Sequence, residues 1–326
     1  MRVLVAGAGA VGSMLGARLA AAGHDVTLLG RPALAEAVAR HGLQVEGQTT
    51  FSGPVRVVTE VPARADGAFD AVWLTCKAHQ TAGLGAAVAP RVADDGVLAS
   101  LQNGLGNGEK LATMLPPDRL AACLTSHGVH VPEPGRVVHA GTGVTKVGPV
   151  PQHDAAVAGA RLAEGLLRDA GLEPAWCGSM RGHVWQKAIV NAGLNPVAAL
   201  WGVRNGEVAA RPELWALSEA LVRESVALAA RARVELPPGD LPKTLRRVCL
   251  ATAENRCSML QDVQAGRVTE IEQITGRMVR LGEQLLVSMP RSESVYGRVK
   301  DLEGSYLGPA AEESAWEELR FLALPV

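Results

Sequence analysis

Lys187, Asn191 and Asn195 follow one another at steps of four residues, in a stretch otherwise rich in Ala, Val, Ile and Leu. At about 3.6 residues per turn, such steps align an amine and two amides along one helix face, with Ile189, Val190, Leu194 and Val197 on the others. Three polar groups among apolar neighbours are costly to bury unpaired, so this face is expected to line a wet cleft or meet a ligand. Asn255 and Ser258, three apart, make a second polar ridge, and Glu270 begins the next helical stretch. Taken singly, each residue also fits an ordinary solvated stripe. Their occurrence together, downstream of a nucleotide-binding signature, weighs against that reading.

The signature is Gly7-Ala8-Gly9-Ala10-Val11-Gly12, directly after the apolar run Val3–Ala6 and at the start of an Ala- and Leu-rich helical pattern. The first glycine allows a tight turn, the second lets the backbone approach a pyrophosphate, and the third lets helix and strand pack closely. The helix N-terminus adds amide donors and the positive end of its dipole. After the second strand, where an NAD enzyme usually places an acid against the ribose 2′-hydroxyl, the chain has Gly30-Arg31. An arginine there can bond a 2′-phosphate, so NADPH is the preferred cofactor. Lys77, Asn103 and the segment Ser126–His130 fall at strand ends, where ligands gather in an open parallel sheet, and contact with the cofactor is expected of Lys77 and Asn103.

Those residues need a scaffold, and the first half supplies its pattern. Val3–Ala6, Val26–Leu29, Ala71–Thr75 and Val97–Leu101 read as buried strands alternating with helices at Val11–Ala22, Pro32–Arg40, Gln80–Ala89 and Gly108–Leu115, the rhythm of βαβ units. From Leu120 to Gly148 Gly-rich, β-branched segments predict antiparallel strands closing the sheet. A helix near Asp154–Ala170 and an edge strand near Glu173–Cys177 end the domain. Beyond Gly178 strand signals nearly vanish. Helical spacing runs through Met180–Leu200, Pro212–Ala232, Leu241–Ala265, Thr269–Leu286 and Ser292–Leu302. The expected fold is α/β: an N-terminal Rossmann-type dinucleotide-binding domain over 1–178, then an all-α C-terminal domain over 179–326 for substrate binding and catalysis. The tail Gly304–Val326 mixes acids with a few apolar residues and is expected to be mobile.

Composition removes several function classes. With 326 residues, 32 Lys+Arg, 33 Asp+Glu and a formal net charge of −1, the chain lacks the basic footprint of a nucleic-acid binder, and 3% aromatics leave few rings for base stacking. The five cysteines are scattered without a C-x-x-C pair, and the eight histidines show no ligand spacing, so neither a disulfide framework nor a metal site is indicated. Arg18 and three patterned glycines argue against a signal peptide at the N-terminus. No run reaches the roughly 18 apolar residues of a membrane span. The expectation is a cytoplasmic protein with a small-molecule partner, neither membrane nor nucleic acid, and amphipathic helices that leave a homodimer open.

In this order the motifs resemble the ketopantoate reductase (2-dehydropantoate 2-reductase) family. They are the glycine loop at 7–12, Lys77 in C-K-A-H-Q-T, Q-N-G at 102–104, P-G-R-V-V-H-A-G-T-G at 134–143, W-Q-K-A-I-V-N-A-G-L-N-P at 185–196, N-G-E at 205–207, A-E-N-R-C-S-M-L-Q-D at 253–262 and T-E-I-E at 269–272. The resemblance implies an NADP-dependent oxidoreductase acting on CH–OH, in pantothenate biosynthesis. Gly7, Ala8, Gly9, Ala10, Val11, Gly12, Arg31, Lys77 and Asn103 would hold NADPH, and Val131 would add a backbone contact. Lys187 would be the proton donor. Asn191, Asn195, Asn205, Asn255 and Ser258 would hold the substrate's carboxylate and hydroxyl, and Glu270 would bind that hydroxyl and help to fix the Lys187 ammonium. Thr275, where Asn is common, and Ser288-Met289-Pro290-Arg291-Ser292, in place of a P-T-P-V-N run, depart from the family pattern.

The chemistry so implied is hydride reduction of a 2-keto acid, with Lys187 neutralising and protonating the carbonyl oxygen. Two alternatives stand beside it. One is a reductase of the same build acting on another 2-keto acid, ketone or imine. The other is a non-catalytic NADP sensor, whose expected mark is a lost proton donor, whereas Lys187 and Glu270 are both present.

Overall fold

Val3, Leu4, Val5 and Ala6 are wholly buried, as expected of a strand covered on both faces of a parallel sheet. In the computed structural model, which describes residues 1–307 apart from Arg64 and Asp66, this strand is the middle of a compact unit formed by Met1–Gln102 and Gly106–Met180. A second compact unit is formed by Asn103–Leu105 and the chain from Arg181 onward. The expected tail lies, from residue 308, outside the described residues.

The first unit runs β1 (Arg2–Ala6), α1 (Ala10–Ala21), β2 (Asp25–Leu29), α2 (Pro32–His41), β3 (Leu43–Gly47), β4 (Phe51–Gly53), β5 (Arg56–Val58), β6 (Phe69–Leu74), α3 (Thr81–Val88), β7 (Val92–Ser100), α4 (Asn107–Ala112), β8 (Leu120–Thr125), β9 (Gly128–Glu133), β10 (Arg136–Gly141), β11 (Thr145–Gly148), α5 (Ala158–Asp169) and β12 (Ala175–Trp176). Its main sheet has the order β12-β11-β8-β7-β6-β1-β2-β5. All neighbours are parallel except β8 and β11. Leu4 pairs with Thr27 on one side and Val72 on the other. Val3, Val5 and Trp73 pack with Leu15 and Leu19 of α1 and Leu166 and Leu167 of α5. The Rossmann-type domain is thus present, with the C-terminal ends of β1, β2 and β6 delivering Gly7, Arg31 and Lys77.

Two features correct the expected strand plan. The segment Leu120–Gly148 does not only close the main sheet: β9 and β10 leave it and join β3 and β4 in a second sheet of order β4-β3-β10-β9. Leu43 and Val45 are buried while Glu46 is exposed, so β3 alternates as a half-buried strand, too short to stand out as a pattern. A polar chain ties this sheet to α1. Arg18 Nε donates to Thr49 Oγ1 (2.8 Å), Thr49 Oγ1 lies 2.8 Å from His139 Nδ1, and His139 Nε2 lies 2.9 Å from His127 Nδ1. Burial pulls both histidines below their usual range.

The second unit comprises α6 (Arg181–Trp201), α7 (Asn205–Ala210), α8 (Pro212–Arg231), α9 (Leu241–Ala251), α10 (Ser258–Gln264), a π-helical turn (Glu272–Gly276), α11 (Arg277–Leu285) and α12 (Pro290–Tyr306). No strand follows β12 among the described residues, and no helix there is long and apolar enough to cross a membrane. Helix α6 is the axis against which α8, α9, α10 and α12 pack. A Cβ on Gly193 would stand 2.7 Å from Val222 Cγ2 and 2.9 Å from Leu245 Cδ2, so glycine sets the closeness of these helices.

The helix plan also needs correction. The expected helix Leu241–Ala265 is two, α9 and α10, because the loop between them bonds elsewhere: Asn205 N donates to Asn255 O (3.0 Å) and Gly206 N to Ala253 O (3.1 Å). Carbonyls given to α7 cannot continue a helix ladder. Asn255 and Ser258 are therefore not a ridge on one helix. The expected helix Thr269–Leu286 begins only at Glu272, with the π turn, and continues from Arg277 as α11.

Candidate active site

Gly7 sits at φ +110°, a conformation costly for any residue with a Cβ, and an added Cβ would run into the backbone of Cys76. Gly7 N and Ala8 N both donate to Leu29 O, at 3.1 and 2.9 Å, which fixes the turn between β1 and α1. A Cβ on Gly12 would lie 2.5 Å from Gly7 O and Thr75 Oγ1, whereas one on Gly9 would meet only Gly7 O at 4.0 Å. Gly12 is closed inward and Gly9 is open outward. Gly9 caps α1 without any side-chain hydrogen bond, so the first amides of α1 are left for a ligand. This cradle fits the pyrophosphate of a dinucleotide. Ala8, Ala10 and Val11 are half-buried around it.

Arg31 is exposed and stands immediately before α2. Lys77 is half-buried in the turn after β6. That turn is braced by a residue the sequence reading used only as part of a motif. Gln102 is buried, donates from Nε2 to Cys76 O (3.0 Å) and Thr81 Oγ1 (2.9 Å), and accepts from Ser100 Oγ (3.0 Å). Val131 is 44% exposed on β9, in the small sheet. Within Ser126–His130, His127 belongs to the histidine chain described above.

In the second unit, Lys187 and Asn191 are half-buried and Asn195 is buried along α6. Burial lowers the Lys187 ammonium from 10.5 to about 8, with the Glu270 carboxylate pulling in the opposite direction. Glu270 is only 5% exposed, and its Oε2 accepts from Asn103 Nδ2 at 3.2 Å. Asn103 reaches it because Asn103–Leu105 belong to this unit: Leu105 N donates to Gln273 O (3.0 Å), and Gly104 turns at φ +88° against Gln273. A cation, a buried carboxylate and an amide are thereby brought together from three separate stretches of sequence. A lysine whose pKa lies near the working pH can hold and release a proton.

Asn205 is buried at the start of α7 and donates from Nδ2 to Thr252 Oγ1 (2.9 Å). Its Oδ1 is buried with no hydrogen-bond partner among the described residues, an acceptor that a substrate hydroxyl would satisfy. Asn255 and Ser258 are exposed, in the α9–α10 loop and at the start of α10. Thr275, by contrast, is buried in the π turn, and its hydroxyl has no hydrogen-bond partner among the described residues.

Sequence reasoning missed the groups that hold the segment around Glu270. Thr269 N donates to buried Glu303 Oε1 (2.7 Å), which is also paired through its other oxygen with Lys300 (2.9 Å). Glu272 accepts from Tyr296 Oη (2.6 Å) and pairs with Arg280. The one available signal was the second acid of T-E-I-E, which is apart from Glu270 by two residues and faces other partners.

Residues 3–152 match the family model described as ketopantoate reductase PanE/ApbA, and residues 179–303 match that of its C-terminal part. The chain is 37% identical to the 2-dehydropantoate 2-reductase of Archaeoglobus fulgidus over 305 residues, covering 93% of this chain and 98% of that protein. A solved PanE/ApbA family ketopantoate reductase from Ralstonia eutropha JMP134 superposes with a TM-score of 0.84 at 27% identity, over 94% of this chain and 99% of that one. D-mandelate dehydrogenase, solved as a ternary structure with NADH and anilino(oxo)acetate, shares the fold at 23% identity, with a TM-score of 0.85 and coverage of 94% and 99%. Both halves of the chain, in order and over nearly their whole length, thus belong to the ketopantoate reductase family.

Proposed function

We propose that this chain reduces 2-dehydropantoate to pantoate with NADPH, Lys187 donating the proton. The observation that carries the reading is a desolvated lysine, brought to about 8 by burial, beside a buried carboxylate that is itself fixed by Asn103. NADPH, when bound, supplies the hydride. The Gly7–Gly12 turn and the first amides of α1 receive its pyrophosphate, Arg31 its 2′-phosphate, and Lys77, Asn103 and the Val131 backbone make further contacts.

On the substrate side, charge developing on the carbonyl oxygen is met by the Lys187 ammonium, which then gives up its proton. Glu270 binds the substrate hydroxyl and keeps the ammonium form populated. Asn191, Asn195, Asn205, Asn255 and Ser258 hold the carboxylate and hydroxyl. This reading makes the chain a cytoplasmic enzyme of pantothenate biosynthesis, and its amphipathic helices leave a homodimer open.

The test is NADPH oxidation with ketopantoate beside a panel of other 2-keto acids and cyclic imines. Ketopantoate is expected to give the highest kcat/KM; a better substrate from the panel moves the reading to a sister reductase. In the same assay Arg31→Ala is expected to weaken NADPH far more than NADH, by about tenfold or more for a lost charge-assisted pair. An equal loss for both cofactors rejects the phosphate role.

A further inference from the structure

The chain around Glu270 is held on both sides by one helix. Ahead of it, Thr269 N donates to Glu303 of α12. Behind it, Glu272 accepts from Tyr296 Oη, also of α12, at 2.6 Å and pairs with Arg280 of α11. Glu303 is 2% exposed, and Lys300, one turn earlier on α12, faces it at 2.9 Å. Ile271 N is satisfied by Thr269 Oγ1 (3.1 Å). From the second anchor onward, over Glu272–Gly276, the backbone adopts the wider π turn, a rare form that persists only where its surroundings hold it and that is frequent at functional sites, and Ile274 N of that turn donates back to Glu270 O (3.1 Å). The Tyr296 ring lies against Gly276 at the end of that turn, where a Cβ would stand 2.7 Å from Tyr296 Cε2.

Resting on the catalytic reading of Lys187 and Glu270 above, we infer that Tyr296 is a positioning residue: through Glu272 its hydroxyl fixes the π turn and so the place of the Glu270 carboxylate beside Lys187. Nothing in its setting belongs to an exposed tyrosine. Burial and the neighbouring Glu272 carboxylate push its phenol far above the usual tyrosine range, so it remains an O–H donor at any working pH.

Tyr296→Phe removes the hydroxyl and keeps the ring on Gly276, so the fold is retained. A hydrogen bond to a charged group is worth about tenfold or more, and the share of it that reaches Glu270 through the turn is expected to lower kcat about three- to tenfold, with the NADPH Kd unchanged. The high-pH limb of kcat is expected to shift to lower pH, because a displaced Glu270 supports the Lys187 ammonium less well. Glu272→Gln is expected to act in the same direction, and the double variant no worse than the stronger single one, as for two members of one linkage. A variant that loses thermal stability but keeps wild-type kcat and the wild-type pH limb, while Lys187→Ala is inactive, overturns the inference. Activity retained by Lys187→Ala removes the assignment of the proton donor itself, and this inference with it.

Discussion

Lys187 is held between two opposed demands. Burial disfavours its charge and Glu270 favours it, and the balance leaves a pKa of about 8. As a proton donor it is competent below that value and loses its proton above it, so kcat for reduction is expected to fall on the alkaline side of about 8. Lys187→Ala should lower kcat by about 10²- to 10⁴-fold, the usual contribution of a general acid, while leaving NADPH affinity near its original value. Steady-state rates across pH and cofactor titration check both. Stability runs the other way. Between about 8 and 10.5 the unfolded chain binds more protons at this site than the folded one, so this residue's contribution rises with pH through that window. The lysine was legible in the sequence from its spacing with Asn191 and Asn195. Asn103 was visible only as a residue at a strand end, read as a cofactor contact. Its bond to Glu270 depends on a backbone excursion at Gly104 that no local pattern announces.

Among the elements, strands and helices with long, uniform apolar periodicity were readable: β1, β2, α1, α6 and α8 lie close to where the pattern placed them. What stayed hidden had tertiary causes. The break between α9 and α10 follows from carbonyls bonding to α7, and the π turn follows from anchors on α11 and α12, the α12 anchor lying 24 residues along the chain, beyond the reach of helical periodicity. The small sheet was missed because β3 and β4 are short. Its buried His139, linked to His127 and Thr49, has a consequence for acid stability. Both histidines have folded pKa values below 6.5, so the unfolded chain takes up protons first. Stability is expected to decline as pH falls from about 6.5 toward their folded values, and to level off below them. Thermal unfolding of wild type against His139→Asn over that range checks this. A parallel decline in both proteins counts against the histidines as the cause.

At the scale of the whole molecule, the chain does not divide at a single point. Asn103–Leu105 belong to the helical unit, with Leu105 in its apolar core beside Ile274 and Met278, although they come from the middle of the first unit's sequence. A fragment starting at Arg181 therefore lacks a core side chain, the donor to Glu270 and the partner of Gln273 O. Truncating a buried leucine costs about 2–5 kcal/mol, and the fragment is expected to melt well below the intact protein or to remain unfolded. Circular dichroism on heating, with the intact chain as reference, checks it; a fragment as stable as the parent defeats the argument. The same excursion governs how such proteins can be recombined. A chimera that joins one relative's nucleotide-binding half to another's helical half at a single junction sets Glu270 against the first relative's tripeptide instead of its own, so an exchange that keeps the native pairing takes three splice points, with the tripeptide travelling alongside the helices it completes.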